Sequence, residues 1–338
     1  MLRWLIVGIG GLVALASAWA QPAWSPPGPP GAHVLAMAAS PIPGTIVIGT
    51  DGQGVYRTTD GGETWNPLAC ESTLATTNSI LVDPVDPQIL WAGTNYDLCQ
   101  STDDGLTWVP RDGGHGAVVA LAVDAAGSAT LLQGLEGGGI RRSVDGGSHW
   151  SPADPGILGS ASVRAIAFDR HMGSTVYAGG AASGTGRAFR STDRGATWTA
   201  IDVSGSPITA LVADGSRAGV LFAGGPAGAY KSTDDGATWT NVLDAMTSSG
   251  VTSLAITSRD SSLIHAGTTV GILRSTDGGV TWTSVSGGLS PGPVTSLLIE
   301  EERVPSLYAG TGDGVSRATL PQPVAPVGKA PPAPVVSR

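Results

Sequence analysis

The groups able to do acid–base, nucleophilic or metal chemistry in this chain are 27 carboxylates, five histidines, five tyrosines and two cysteines. The aspartates recur in a pattern. Thr58-Thr59-Asp60-Gly61-Gly62-Glu63-Thr64-Trp65 returns at 101–108, 143–150, 191–198, 232–239 and 275–282, with His149 where threonine is usual. Its aspartates, Asp60, Asp103, Asp145, Asp193, Asp234 and Asp277, are 43, 42, 48, 41 and 43 residues apart. Six like carboxylates spread evenly along a chain cannot converge on one substrate. A short Asp in a tight hairpin can instead accept backbone N–H bonds, glycine permits the positive φ that follows, and Ser or Thr adds a hydroxyl bond. The tryptophan packs between strands. These aspartates are therefore expected to shape corners and not to catalyse.

The remaining chemistry is sparse. His33, His115, His149, His171 and His265 are scattered, and no Cys/His metal spacing, Gly-x-Ser-x-Gly elbow or phosphate loop stands out. No metal or cofactor is expected. Cys70 and Cys99 are a candidate disulfide in an exported chain, the alternative being two small, half-buried thiols.

Each repeat sits in a longer unit. A β-branched run ending in a small-Gly step precedes it, as in Val176-Tyr177-Ala178-Gly179 and Leu307-Tyr308-Ala309-Gly310, and another apolar run lies before that. A third short run leads into the motif, and a fourth starts at its tryptophan. Short β-branched segments bounded by Gly and Asp are strands. Four strands per unit of about 42 residues predict an all-β fold, a β-propeller of four-stranded antiparallel blades. The first three strands occur seven times, but the fourth begins with the motif tryptophan only six times. Trp24-Ser25-Pro26 matches Trp150-Ser151-Pro152, so residues 21–26 are expected to supply the outer strand of blade seven and close the ring.

The motif Ser/Thr-x-Asp-x-Gly-x-Thr-Trp resembles the Asp-box, or BNR repeat, of sialidases, xyloglucanases, sortilin-type receptors and seven-bladed photosystem II assembly factors. The resemblance covers nearly all of residues 21–319 and implies the fold. For function it implies two classes, a binding or assembly scaffold and a glycoside hydrolase. Sialidase-like chemistry needs an arginine cluster and a Tyr–Glu nucleophile pair, yet no arginine lies between Arg3 and Arg57 and few glutamates are available: Glu63, Glu71, Glu136 and Glu300-Glu301-Glu302. Xyloglucanase-like chemistry needs two carboxylates facing a cleft between two propellers, and this chain holds one set of repeats. Tyr56, Tyr177, Tyr230 and Tyr308 fall at repeat-strand positions and read as core.

Loops that break the repeat are the better ligand candidates. Those joining second to third strands offer Asp51, Asn95, Tyr96, Asp97, Glu136 and Asp313, and the connections between blades offer Glu71, Arg111, Asp112 and His115. The face is polar and mildly acidic, suited to a basic peptide, a sugar or a cation, and the partner expected there is a protein or glycan ligand. Arg57, Gln100, Arg142, Arg190, Lys231, Arg274 and Arg317 precede the motif position in the seven units, and their stems are expected to cover blade edges while the heads stay in water.

Residues 1–20 have Arg3, an apolar run over 4–16 and Ala18-Trp19-Ala20, the form of a signal peptide cleaved after Ala20. A secreted or periplasmic monomer with no stable membrane insertion is expected. A net charge of −9 with two lysines argues against a nucleic-acid partner. The apolar fraction of 41% suffices for a core, while residues 320–338 are proline-rich and read as an extended tail.

Overall fold

A computed structural model describes residues 21–26, 28–68, 76–111, 116–124, 129–153, 161–203, 205–244, 249–301 and 305–320. Blade 1 consists of β1 (Val34–Ala39), β2 (Ile46–Thr50), β3 (Val55–Thr58) and β4 (Asn66–Leu68). Blade 2 consists of β5 (Thr77–Val82), β6 (Leu90–Thr94), β7 (Leu98–Ser101) and β8 (Val109–Pro110). Blade 3 is formed by β9 (Val118–Val123), β10 (Leu131–Leu135), β11 (Gly139–Ser143) and β12 (Ser151–Ala153). In blade 4 the strands are β13 (Ser162–Phe168), β14 (Val176–Ala182), β15 (Thr185–Ser191) and β16 (Thr199–Ile201). Blade 5 holds β17 (Ala210–Ala213), β18 (Leu221–Gly225), β19 (Gly228–Ser232) and β20 (Thr240–Asp244). Blade 6 holds β21 (Val251–Ile256), β22 (Ile264–Thr268), β23 (Gly271–Ser275) and β24 (Thr283–Ser284). Blade 7 has β25 (Ser296–Glu300), β26 (Ser306–Thr311) and β27 (Gly314–Thr319).

Within each blade the strands pair in sequence order, antiparallel, and no helix occurs among the described residues. The first strands form the inner ring: each contacts the next, and β25 returns to β1. Second strands such as β2, β6 and β22 are buried along their whole length, because both faces are covered by neighbouring blades. The small-Gly step has a packing cause. A Cβ on Gly179 would lie 2.5 Å from Ile208 Cγ2 of the next blade, and one on Gly310 would lie 2.8 Å from Val34 Cγ1. Glycine lets adjacent blades approach, and the second of these contacts joins blade 7 to blade 1.

The N-terminal segment completes blade 7. Trp24 bridges Ala318 and Gly28 bridges Val315, both antiparallel. Ser25 N donates to Arg317 O at 2.8 Å, as Asn66 pairs with Arg57 in blade 1. The pairing runs further than residues 21–26, to Gly28, which exchanges two ladder bonds with Val315 (2.8 and 3.0 Å). Trp24 Nε1 donates to Val285 O at 3.0 Å, the bond that Trp282 Nε1 makes to Val242 O (2.9 Å) one blade earlier. Its ring packs against the cluster of Ile272, Val285, Leu289, Val294 and Ala309.

Candidate functional site

The two faces of the ring differ. In all six motif copies the Ser or Thr hydroxyl meets Asp Oδ1 at 2.7–2.8 Å and accepts the N–H of the motif glycine at 2.8–2.9 Å. The residue four after each Asp donates its N–H to Oδ1 and, from its side chain, reaches Oδ2. His149 fills this place with Nδ1 at 2.6 Å from Asp145 Oδ2. The Thr107 hydroxyl and amide, with the Ser101 hydroxyl, hold the Asp103 carboxyl down at about 2. Each motif turn also bonds the turn between first and second strands of its own blade, as in Gly61 N to Gly44 O (2.9 Å) and Asp235 N to Gly219 O (3.0 Å). The aspartates therefore sit on the face opposite the turns joining second to third strands.

The basic residues before the motif do not keep their heads in water. Arg142 Nε donates to Arg194 O at 2.8 Å and Lys231 Nζ to Gly278 O at 2.8 Å. Arg57 bonds the backbone oxygen and carboxylate of Asp104, and Arg317 Nη1 reaches Gly61 O at 3.4 Å. These four cations bond backbone carbonyls in the motif turn of the following blade, and Arg190 Nη2 lies 3.6 Å from Asp235 Oδ2 in the blade 5 motif; Arg274 precedes blade 7, which carries no motif copy. A second recurrent acid was not singled out by pattern: buried Asp83, Asp169 and Asp214 each accept two backbone N–H groups in the turn after the first strand.

A Tyr–Glu pair does form. Tyr308 Oη lies 3.0 Å from Glu300 Oε2 and 3.3 Å from Gly61 O. The tyrosine is fully buried, and burial, with the Glu300 charge, pushes its hydroxyl above the usual range. A nucleophile would need the opposite shift and an open face. Glu300 and Glu301 line a depression of about 410 Å³ with Arg170, Ser258 and the ends of β1, β17 and β21. There Glu300 accepts the Gly44 N–H of blade 1, while Glu301 accepts the amide and hydroxyl of Ser258 in blade 6. These acids fasten blade 7 to both its neighbours.

The opposite face carries the repeat-breaking loop residues. Asp51 Oδ1 accepts the Thr76 hydroxyl at 2.8 Å, and its Oδ2 lies 3.6 Å from His33 Nδ1. Asn95 Oδ1 accepts Asn78 Nδ2 at 2.9 Å, and Asp97 Oδ1 accepts its neighbour's Leu98 N–H at 2.8 Å. Glu136 Oε1 meets Arg164 Nη2 at 2.7 Å. Tyr96 is 73% exposed. These groups belong to blades 1 to 4, a contiguous arc; Asp313, in the blade 7 turn, is exposed with no side-chain bond to them given by the structure. Arg111 turns to Gln100 Oε1 at 2.8 Å along its own blade. Cys70, Glu71, Asp112 and His115 lie outside the described residues, so the candidate disulfide between Cys70 and buried Cys99 does too. His33, Thr76, Asn78 and Arg164 were not chosen from sequence. Among the described residues no group of three or more His, Cys, Asp or Glu is placed to hold a metal ion.

The BNR/Asp-box repeat model matches residues 56–67. At the level of fold, the chain is an Asp-box β-propeller. A curated xyloglucanase of Paenibacillus sp is 29% identical over 204 residues, 46% of this chain and 20% of that protein, so the propeller spans a fifth of the relative it matches. The GH74 enzyme of Niastella koreensis superposes with a TM-score of 0.69 at 20% identity, covering 88% of this chain and 53% of that one. YCF48 bound to D1 peptide superposes with a TM-score of 0.68 at 18% identity, covering 90% and 96%. At these identities the likenesses establish the propeller and not its ligand.

Proposed function

We propose that this Asp-box propeller is an exported, non-catalytic binding scaffold that presents the second-to-third-strand turn face to a protein or glycan ligand. The observation that carries the reading is the state of the acids. On the ligand-accessible arc Asp51 and Glu136 each meet a cationic or hydroxyl donor, and they belong to separate pairs in different blades. A glycosidase places two carboxyls about 5–9.5 Å apart across the scissile bond. On the other face Tyr308 is fully buried, and Glu300 and Glu301, which line the depression there, are each held by hydrogen bonds to the neighbouring blades. Neighbours of both kinds, GH74 enzymes and peptide-bound YCF48, fit a binding role for the ring.

Glycoside hydrolysis is the second reading, favoured by the xyloglucanase likeness. The two separate in an assay of the purified chain against xyloglucan and a fluorogenic sialoside. No turnover above a heat-inactivated control is expected. Turnover that disappears in Glu136→Gln or Asp51→Asn would overturn the scaffold reading.

A further inference from the structure

Five of the seven inner strands have an irregular position near their start, one residue before the partner of the small-Gly step. The register slips there at Leu35, Asn78, Val119, Arg164 and Thr252. Thr209 and Thr295 hold the same place in blades 5 and 7, before Ala210 and Ser296, which pair with Gly224 and Gly310. In blades 5 to 7 the residue is threonine, and its hydroxyl bonds the carbonyl of the next inner strand. Thr209 Oγ1 reaches Val251 O at 2.8 Å, Thr252 reaches Val294 O at 2.5 Å, and Thr295 reaches Val34 O. Blades 1 to 4 carry Leu35, Asn78, Val119 and Arg164, which cannot repeat this latch in kind. Asn78 and Arg164 turn instead to Asn95 and Glu136 in the outer turns. Between blades 2 and 3 the adjacent Ser79 takes over, its hydroxyl donating to Val118 O at 3.4 Å, so the threonine form of the latch is confined to blades 5 to 7, while the polar loop residues other than Asp313 gather on blades 1 to 4.

The chemistry of the arc narrows its ligand. Asp51 faces Thr76 and His33, and Glu136 faces Arg164, so a cation finds its acids already engaged, and an anion must displace Glu136 from Arg164. The amides of Asn78 and Asn95 and the planar heads of Glu136 and Arg164 retain unused lone pairs and N–H groups, since each can form more bonds than the one described. Such groups match hydroxyls, which donate and accept together. The exposed Tyr96 ring offers an apolar face for C–H groups. A protein partner draws on several apolar anchors. Among the described residues, the large exposed apolar side chains other than Tyr96 lie in the motif-side turns (Ile42, Val85, Leu106, Val144, Val280), on the outer strand β8 (Val109) or in the blade 6 turn (Val270), leaving Tyr96 alone on the described part of the arc.

We propose that Asn78, Asn95, Tyr96, Glu136 and Arg164 form a binding site for a neutral saccharide chain, with a sugar ring stacked on Tyr96. This assignment rests on the scaffold reading and deepens it. Affinity electrophoresis of the full chain through gels containing hydroxyethylcellulose, xyloglucan or galactomannan tests it, with poly-lysine and heparin as charged probes. Retardation by at least one neutral gel, unchanged by added salt, is expected. Tyr96→Ala and Asn95→Ala should weaken it about tenfold or more while Tm stays at the wild-type value, and Thr252→Val, outside the arc, should bind as wild type. Migration unaffected by all three neutral gels overturns the proposal, as does equal retardation of wild type and Tyr96→Ala. Binding to poly-lysine or heparin alone, weakened by the same substitutions, also overturns the saccharide assignment but leaves the scaffold reading standing. Cleavage of the polymer in the gel would remove the scaffold reading itself.

Discussion

At the residue scale, each recurrent aspartate closes its turn with bonds to its own flanking Ser or Thr and to the residue four places on. The carboxylate form is the one that accepts these bonds, so its pKa falls. For Asp193, partial burial raises the value, but the bonds from Thr197 and Ser191 outweigh it and bring it to about 2; Asp277 behaves alike, also at about 2. A depressed native pKa confers stability that is complete above the unfolded value of 3.8 and is lost as pH falls through about 2. Acid titration of unfolding should therefore show Tm falling mainly between those two values, and Asp193→Ala should both lower Tm at neutral pH and shrink that fall. An acid profile unaltered by Asp193→Ala would refute the account. The aspartate role was legible in sequence because it depends on local spacing alone. The fate of the basic residue before each motif was not, because its acceptor lies in another blade, more than 40 residues away.

At the scale of the element, an inner strand is held by its own blade and by what it offers its neighbour. Thr252 is bonded to Val294 O across the blade 6–blade 7 boundary. Thr252→Val keeps the shape and deletes the bond, so a cost of about 1 kcal/mol is expected in chemical denaturation. The same change at Val119, to Thr, tests whether a latch can be restored between blades 3 and 4, and a gain in stability there would show that the sequence had forgone one. Asn78 and Arg164 were missed from sequence because strand residues were assigned to scaffold and loop residues to function. Aligning the position across seven units, three of them threonine, would have exposed both.

At the scale of the whole molecule, closure depends on a few residues at the N-terminus. Trp24 is the one indole of the ring contributed by a strand distant in sequence from its blade, and truncating a buried aromatic typically costs about 3–5 kcal/mol. Because Trp24 is only partly buried, the lower end applies, and Trp24→Ala should lower Tm by about 5–10 °C. Differential scanning calorimetry would decide it, and an unchanged Tm would count against the closure described. By itself the sequence determined the seven blades, the four-strand unit, the corner role of the aspartates and the use of the N-terminus as the last strand. Each of these follows from period and local turn chemistry, which the chain repeats in seven strand units and six motif copies. Only the tertiary structure decided which face each carboxylate lies on, that Tyr308 is buried beneath the first motif turn with its hydroxyl on Glu300, and that Asn78 and Arg164 join the loop residues in one arc. Those outcomes depend on contacts between blades and across the ring, where residues meet by rotation about the axis and not by distance along the chain.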